Sequence, residues 1–168
     1  MAGALEWAEN FIKYNSIFVI KDQRNDAINY NMAILYYAKA VADKFHSHEH
    51  FSKAIDYLSH FRIRDYTNKL QVYLLKTMLF FDTGEYDGVY SECKAFEQYI
   101  LHHKKHINSQ LAGSYIIYDN YLIHLTNYVI DEDYIKMQKL YEKIIKEKPF
   151  IKKAWILERI KNFVSKRK

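Results

Sequence analysis

Residues 70–100 read LQVYLLKTMLFFDTGEYDGVYSECKAFEQYI, and this stretch predicts two helices joined by a short turn. The first, residues 70–81, is apolar almost all round, which indicates a helix that is covered on several sides. The second, residues 86–100, is amphipathic, since its apolar residues recur every three or four positions. Gly84 suits a turn after a helix, because glycine tolerates a positive φ. We therefore expect an antiparallel helical hairpin.

The composition favours a folded helical protein. Its 168 residues include one proline, four glycines and 17% aromatic residues, which argues against disorder. The single cysteine, Cys93, excludes an internal disulfide and lies on the apolar stripe of the second helix, so we expect it to be buried. Residues 115–130 are apolar but interrupted by polar side chains, which predicts a buried helix rather than a bilayer span.

The N-terminus has none of the features of a signal peptide, which favours a cytoplasmic location. The chain enters a helix within its first few residues, so we expect it to be part of a longer protein. Apolar residues of this first helix should face inward, and they are Leu5, Ala8, Phe11, Ile12 and Ile17.

The same periodicity predicts six further helices, at 4–19, 27–45, 51–61, 109–130, 134–146 and 152–164. Polar breaks are expected at 21–26, 46–50 and 62–68. The expected helix starts are Asn25 or Asp26, then Asn108 or Ser109, then the acidic run 131–133. Pro149 should end one helix, and residues 165–168 should form a frayed basic tail.

A repeated pattern links three of these helices. Phe51, Ala54, Leu58 and Phe61 correspond to Tyr86, Val89, Cys93 and Phe96, and again to Tyr134, Met137, Tyr141 and Ile144. The first two units are 35 residues apart, near the period of about 34 of tetratricopeptide repeats, whereas the next interval is 48.

The chain therefore resembles a degenerate tetratricopeptide repeat. Gly84, Tyr86, Val89 and Phe96 occupy its turn, aromatic and packing positions, and Pro149 and Trp155 match positions of a later unit. The usual tryptophan-leucine-glycine signature is absent, and Leu101 replaces the closing proline. Residues 4–11, ALEWAENF, are also similar to a helix start in helical-repeat proteins of uncertain role from Bacteroidota.

This resemblance implies an all-α fold in one domain, residues 1–168. The helices, about seven or eight, would form a right-handed stack of antiparallel hairpins, a tetratricopeptide-like α-solenoid. Such a stack offers a concave face on which tyrosine and asparagine can contact a peptide. The candidate partner-binding residues are Tyr30, Asn31, Tyr37, Tyr73, Tyr118, Asn120, Tyr121 and Asn127. The alternative is that most of these tyrosines belong to the core.

No stretch carries a catalytic, cofactor or metal signature. Nucleophile elbows and glycine-rich phosphate loops are absent, so we expect no enzyme and no cofactor. His46, His48 and His50 alternate in an expected loop that could bring two imidazoles to a metal, but apart from Glu49 no carboxylate or cysteine is placed to complete the set. His102 and His106 are explained as the cationic end of a helix.

Charge suggests a second function. Residues 135–168 contain 12 Lys and Arg against 3 Glu, whereas the rest of the chain is net acidic. Our first hypothesis is a protein-binding scaffold or adaptor, and the alternative is a helical repeat that binds nucleic acid through this basic end. The basic residues concerned are Lys143, Lys146, Lys148, Lys152, Lys153, Arg159 and Lys161. A third possibility is a structural segment whose last helix docks onto another repeat or a second copy through Trp155 and Phe163.

Overall fold

The computed structural model describes residues 2–43, 48–63 and 66–165, and all regular structure in these ranges is helical. This confirms the prediction of an all-α fold. The described elements are α1 (Ala2–Asn15), a 3₁₀ turn (Ser16–Phe18), α2 (Lys21–Ala42), α3 (His48–Ser59), α4 (Tyr66–Thr83), α5 (Tyr86–His103), α6 (Ser109–Ile130), α7 (Tyr134–Lys146) and α8 (Lys153–Ser165).

The contacts of the chain cluster into two compact units. Unit 1 is Met1–Gly88 and unit 2 is Val89–Lys168, so the division falls in the first turn of α5. The prediction of one repeat domain stays a prediction.

The starts of α6 and α7 confirm the expected caps. The side chain of Asn108 accepts hydrogen bonds from the backbone N–H groups of Gln110 (2.9 Å) and Leu111 (3.2 Å). That of Asp133 accepts from the N–H of Lys136 at 2.9 Å, and the same lysine holds the Asp133 pKa below its usual value. These side chains satisfy amides that have no partner inside their helices.

The break expected at 21–26 and the described part of the break expected at 46–50 are instead helical. α2 begins at Lys21 after Ile20, so Asn25 and Asp26 lie inside the helix and do not cap it. α3 begins at His48, so His48 and His50 are helical, while His46 lies outside the described residues. The error has a physical reason: a polar residue has the same backbone N–H and C=O groups as an apolar one and can continue a helix, whereas proline removes a backbone donor and glycine costs about 1 kcal/mol.

Several other bounds also differ. The first predicted helix, 4–19, is divided into α1 and the 3₁₀ turn, and α2 ends at Ala42. α4 extends from Tyr66 to Thr83, well beyond 70–81, and α5 continues to His103. Phe61 lies past the end of α3. Of the expected tail 165–168, Ser165 closes α8 and the rest lies outside the described residues.

In unit 1, α2 packs against α1, α3 and α4. Its buried residues include Met32, Tyr36 and Tyr37, and the Tyr37 hydroxyl donates a hydrogen bond of 2.6 Å to Asp82 at the end of α4. α4 is buried along most of its length, as its lack of a polar face predicts. Its buried Thr77 donates to backbone carbonyls of its own helix.

In unit 2, α6, α7 and α8 pack against one another. The fully buried side chains at their centre are Tyr118, Leu122, Leu125, Met137, Ile144, Ile156 and Ile160. Near the start of α6, Tyr115 meets Phe96 of α5 with ring centroids 5.3 Å apart. Cys93 is buried as expected.

Two helix ends share one backbone motif. After α4, Gly84 has φ +81° and the N–H of Glu85 bonds the carbonyl of Phe80 at 2.8 Å. After α6, Glu132 has φ 52° and the N–H of Asp133 bonds the carbonyl of Tyr128 at 2.9 Å. Both are Schellman motifs, and in each the next helix begins with a tyrosine two positions after the positive-φ residue. The expected turn at Gly84 is therefore confirmed.

The two ends of the described chain differ in burial. Trp155 of α8 is buried at 8% exposure, whereas Trp7 of α1 is 65% exposed. The expectation that Phe11 and Ile17 face inward is wrong, since both are exposed. What fixes α1 is its other side, where Glu9 accepts hydrogen bonds from Lys13 (2.7 Å) and from Lys39 of α2. These bonds lower the Glu9 pKa to about 2.

Candidate functional site

Unit 1 contains a polar cavity of about 310 Å³. It lies between the first three turns of α2, the start of α4 and the segment that follows α3. Its lining residues are Val19, Gln23, Asp26, Ala27, Tyr30, Phe61, Asn68 and Gln71. We call it the unit 1 cavity.

The first turns of α2 form one wall of this cavity. Because the helix begins at Lys21, Gln23, Asp26, Ala27 and Tyr30 recur at intervals of three and four residues on one helical face. The chain that enters α2 is fixed by Arg24, which donates hydrogen bonds to the carbonyls of Ile17 (2.9 Å) and Val19 (3.4 Å).

An aromatic pair forms a second wall. The rings of Tyr30 and Phe61 are 5.4 Å apart and tilted by 46°. Asn29 donates a hydrogen bond of 3.0 Å to the carbonyl of His60, which holds the segment after α3 against α2. Burial raises the pKa of Tyr30 above its usual value, and its hydroxyl can donate a hydrogen bond at neutral pH.

The remaining lining is rich in primary amides. Gln23 and Gln71 are exposed, and each offers two N–H donors and a carbonyl acceptor. Asp26, buried at 7% exposure, is the charged residue of the lining, and both Asp26 and Asn68 already interact within the protein. Such a lining can pair with the alternating N–H and C=O groups of an extended backbone.

Unit 2 has a smaller groove between α5 and α6, of about 220 Å³. Its lining combines apolar and polar side chains, which are Tyr90, Cys93, Ile100, Leu101, Ile116 and Ile123 together with Lys94, Glu97, Asn120 and the buried Asp119. Asp119 already interacts within the protein, so the groove offers no carboxylate that awaits a ligand at this position.

The structure separates the residues proposed for partner binding into two groups. Tyr37, Tyr73, Tyr118 and Tyr121 are buried, as the core alternative predicts, so a partner cannot reach them in this structure. Tyr30 is half-buried and lines the unit 1 cavity, whereas Asn31, Asn120 and Asn127 are exposed. Of these asparagines, only Asn120 lies in one of the two concavities described above.

Tyr121 is a structural residue of unit 2. Its hydroxyl donates a hydrogen bond of 2.7 Å to Glu147, and its ring lies 5.4 Å from that of Phe150. Burial, with the bond to this carboxylate, raises the Tyr121 pKa to about 12. The side chain therefore joins α6 to the segment after α7.

The basic residues are dispersed. Lys143 and Lys146 are exposed on α7 and line, with Lys139, a shallow concavity of about 440 Å³ that also contains Glu142 and Glu147. Lys148, Lys152 and Lys161 are exposed as well.

Two of the basic residues proposed to bind phosphates instead make contacts within unit 2. Arg159 is buried at 3% exposure, so it cannot contact a phosphate at the surface. Its guanidinium lies 5.0 Å from the Trp155 ring centre and 3.3 Å from Glu158. Lys153 donates to the carbonyls of Ile145 (3.1 Å) and Glu147 (2.6 Å), where it stabilises the end of α7.

Within the described ranges, no three His, Cys, Asp or Glu residues are grouped so that they could hold a metal ion. His48 and His50 are two positions apart on α3 and therefore point to different sides of the helix. The Nε2 atom of His50 lies 3.1 Å from the Oδ2 atom of Asp43.

Sequence reasoning missed Gln23, Phe61, Asn68 and Gln71. Gln23 was assigned to a break, and the signal that could have placed it was Asp22, an acidic residue suited to the first turn of a helix beginning at Lys21. The other three approach α2 only through tertiary packing, which the periodicity of a single segment does not report.

Comparisons of the chain with protein families, curated proteins and solved structures gave no match. None of the described helices is both long and apolar enough to cross a membrane.

Proposed function

We propose that this protein is a non-enzymatic interaction module of the tetratricopeptide-like type, which binds an extended peptide segment in the unit 1 cavity. The observation that carries the proposal is the lining itself, in which amides from two helices surround the Tyr30–Phe61 pair. The repeated Schellman motif after α4 and after α6 supports the repeat relationship, since each would close the first helix of a hairpin.

The chemistry of the cavity indicates the kind of peptide. At about 310 Å³ it is at the lower end of the range for ligand pockets, so it would hold a few residues. The aromatic pair offers contact area to a small apolar side chain, and the amides pair with the backbone on either side. A carboxylate on the peptide would be repelled by Asp26, so we expect neutral or weakly basic segments.

A peptide-display library, selected on the immobilised protein, provides the test. Selected peptides should bind Gln71→Ala at least about tenfold more weakly, since two hydrogen bonds of about 1 kcal/mol each are lost. Gln138→Ala is the matched control, because Gln138 is an exposed glutamine on α7 outside the cavity. Peptides that bind a Gln23→Ala/Gln71→Ala variant as tightly as the original protein would refute the proposal.

Nucleic-acid binding is the second candidate, favoured by the three lysines at Lys139, Lys143 and Lys146 along one concavity of α7. The two glutamates beside them weaken it. Binding to a single-stranded oligonucleotide should then fall steeply with salt and lose slope in a Lys143→Gln variant. Absence of binding at low salt would exclude it.

A further inference from the structure

The described lining of the unit 1 cavity is negatively charged. Of its eight described residues, Asp26 alone carries a charge at neutral pH, and none is a lysine, arginine or histidine. Arg24, which follows Gln23 in α2, does not line the cavity, since its guanidinium donates to the carbonyls of Ile17 and Val19. A group that enters the cavity therefore meets a carboxylate but no cation among these residues.

The burial of Asp26 strengthens the effect of its charge. The residue is 7% exposed, so it is largely shielded from bulk water although it lines the cavity. Asp26 already interacts within the protein, but a carboxylate has two oxygens with about four acceptor sites, so it can bond a ligand in addition to its present partner. A cationic donor forms the stronger hydrogen bond with a carboxylate, and water screens the attraction less in such a place. The cavity therefore favours a cationic group.

The aromatic wall favours a flat cation. Tyr30 and Phe61 are only partly buried and both line the cavity, so they offer aromatic surface to a ligand. Their rings are tilted by 46° with centroids 5.4 Å apart. A guanidinium is planar and weakly hydrated, and it stacks on aromatic rings more readily than an ammonium group does. The pair therefore favours the side chain of arginine over that of lysine.

The amides supply further acceptors for such a group. Gln23 of α2 and Gln71 of α4 are exposed, and the carbonyl oxygen of each side chain accepts hydrogen bonds. A guanidinium has five N–H donors and no acceptor, so it can be shared between the carboxylate of Asp26 and these carbonyls. An apolar side chain in the same place would leave all of these acceptors facing a group that cannot donate.

We propose that the unit 1 cavity binds the side chain of an arginine, with its guanidinium between Asp26 and the Tyr30–Phe61 pair. The arginine site rests on the proposed function, because it assigns one residue of the peptide that enters there. The aliphatic part of the side chain packs on the rings, and the amides bond both the guanidinium and the adjoining peptide backbone. A cavity of about 310 Å³ holds one long side chain with the backbone next to it.

Peptides from the display library provide the first test. Those that lose binding to the Gln23→Ala/Gln71→Ala variant should share an arginine at one position. Replacing it by citrulline, which keeps the shape but not the charge, should weaken binding at least about tenfold, and lysine should recover only part of the loss. These changes are made in the peptide, so the result does not depend on the folding of a further variant. Cavity-dependent peptides without a shared arginine, or citrulline or lysine peptides that bind as tightly, would overturn the arginine site and leave the proposed function intact.

A single-residue probe separates the two proposals. N-acetylarginine amide, titrated up to about 50 mM, should shift the side-chain amide signals of Gln23 and Gln71 saturably in proton–nitrogen correlation spectra, whereas N-acetylcitrulline amide should not. Asp26→Asn should abolish this difference between the probes. Asp22→Asn is the matched control, because Asp22 is an exposed carboxylate of α2 outside the described lining.

Equal shifts from the two probes, or loss of their difference in Asp22→Asn as well, would overturn the arginine site. Saturable shifts from the arginine probe alone, with no cavity-dependent peptide in the library, would uphold the arginine site and refute the binding of an extended segment.

Discussion

Units 1 and 2 contain corresponding structural features, but their terminal helices differ in burial. Each has a Schellman motif, with Gly84 at the positive-φ position in unit 1 and Glu132 in unit 2. Each has a tyrosine that donates to a carboxylate, Tyr37 to Asp82 and Tyr121 to Glu147. Each also has a terminal helix with an apolar face.

The terminal helices show what the comparison teaches. α8 packs against both α6 and α7, whereas α1 packs against α2 and the adjoining 3₁₀ turn. As a result Trp155 is buried and Trp7 is exposed, although both lie in amphipathic helices. An amphipathic pattern thus predicts a helix, but the number of neighbouring helices decides whether its apolar face is covered.

The largest expected effect comes from the two tryptophans. Trp155→Ala should lower the free energy of unfolding by about 3–5 kcal/mol, because it removes a buried ring that contacts Tyr118 and Arg159. Trp7→Ala should change it by less than about 0.5 kcal/mol. Urea unfolding followed by far-ultraviolet circular dichroism measures both.

Equal losses in the two variants would show that the Trp7 ring is covered in the folded protein. Trp155→Phe serves as the control for ring volume, and it should lose less than Trp155→Ala because most of the apolar contact is retained.

The hydrogen-bonded tyrosines predict a smaller effect, which depends on pH. The Tyr121 pKa is raised from 10.0 to about 12 in the folded protein, so the unfolded state loses its proton first as the pH rises. The stability contributed by Tyr121 should therefore be complete below pH 10 and be lost between pH 10 and 12, by on the order of 1–2 kcal/mol.

Urea titrations between pH 8 and pH 11 check this slope. Tyr121→Phe should flatten it, whereas Tyr14→Phe, at an exposed position, should leave it unchanged. A slope that persists in Tyr121→Phe would assign the alkaline loss to other groups, among them Tyr30 and Tyr86, whose pKa values burial also raises.

The sequence predicted the parts of this fold that depend on neighbouring residues along the chain. α7 matches its expected bounds, and α6 begins after the Asn108 cap, because a side-chain acceptor satisfies amides a few residues away. It failed at the start of α2, where polar residues were interpreted as a break. It also failed for the inward direction of Phe11 and Ile17, because periodicity defines a face but does not say what packs on it.

The candidate site was predictable only in part. Tyr30 was identified among the candidates, and it lines the unit 1 cavity with Phe61 and Gln71, which come from segments more than 30 residues away. Four other candidate tyrosines are core residues, two of which form the carboxylate bonds compared above. A tyrosine in an apolar helix fits both roles, and only the position of a carboxylate in another element distinguishes them.

The smallest expected effect, at the two Schellman motifs, tests the correspondence of the units directly. A side chain in the left-handed region costs about 1 kcal/mol, so Gly84→Ala should destabilise by that amount and Glu132→Gly should stabilise by a similar amount. A Cβ at Gly84 would meet no atom within 4 Å, so the loss would come from the backbone conformation alone.

Gly113→Ala is the control: this helical glycine also has open space, and alanine there should stabilise by up to about 1 kcal/mol. Opposite signs for Gly84→Ala and Gly113→Ala, measured by urea unfolding, would establish that the motif requires the positive φ. A loss of stability in Glu132→Gly would show that the Glu132 side chain contributes more to the second turn than its backbone strain costs, and that the two turns are alike in geometry but not in energy.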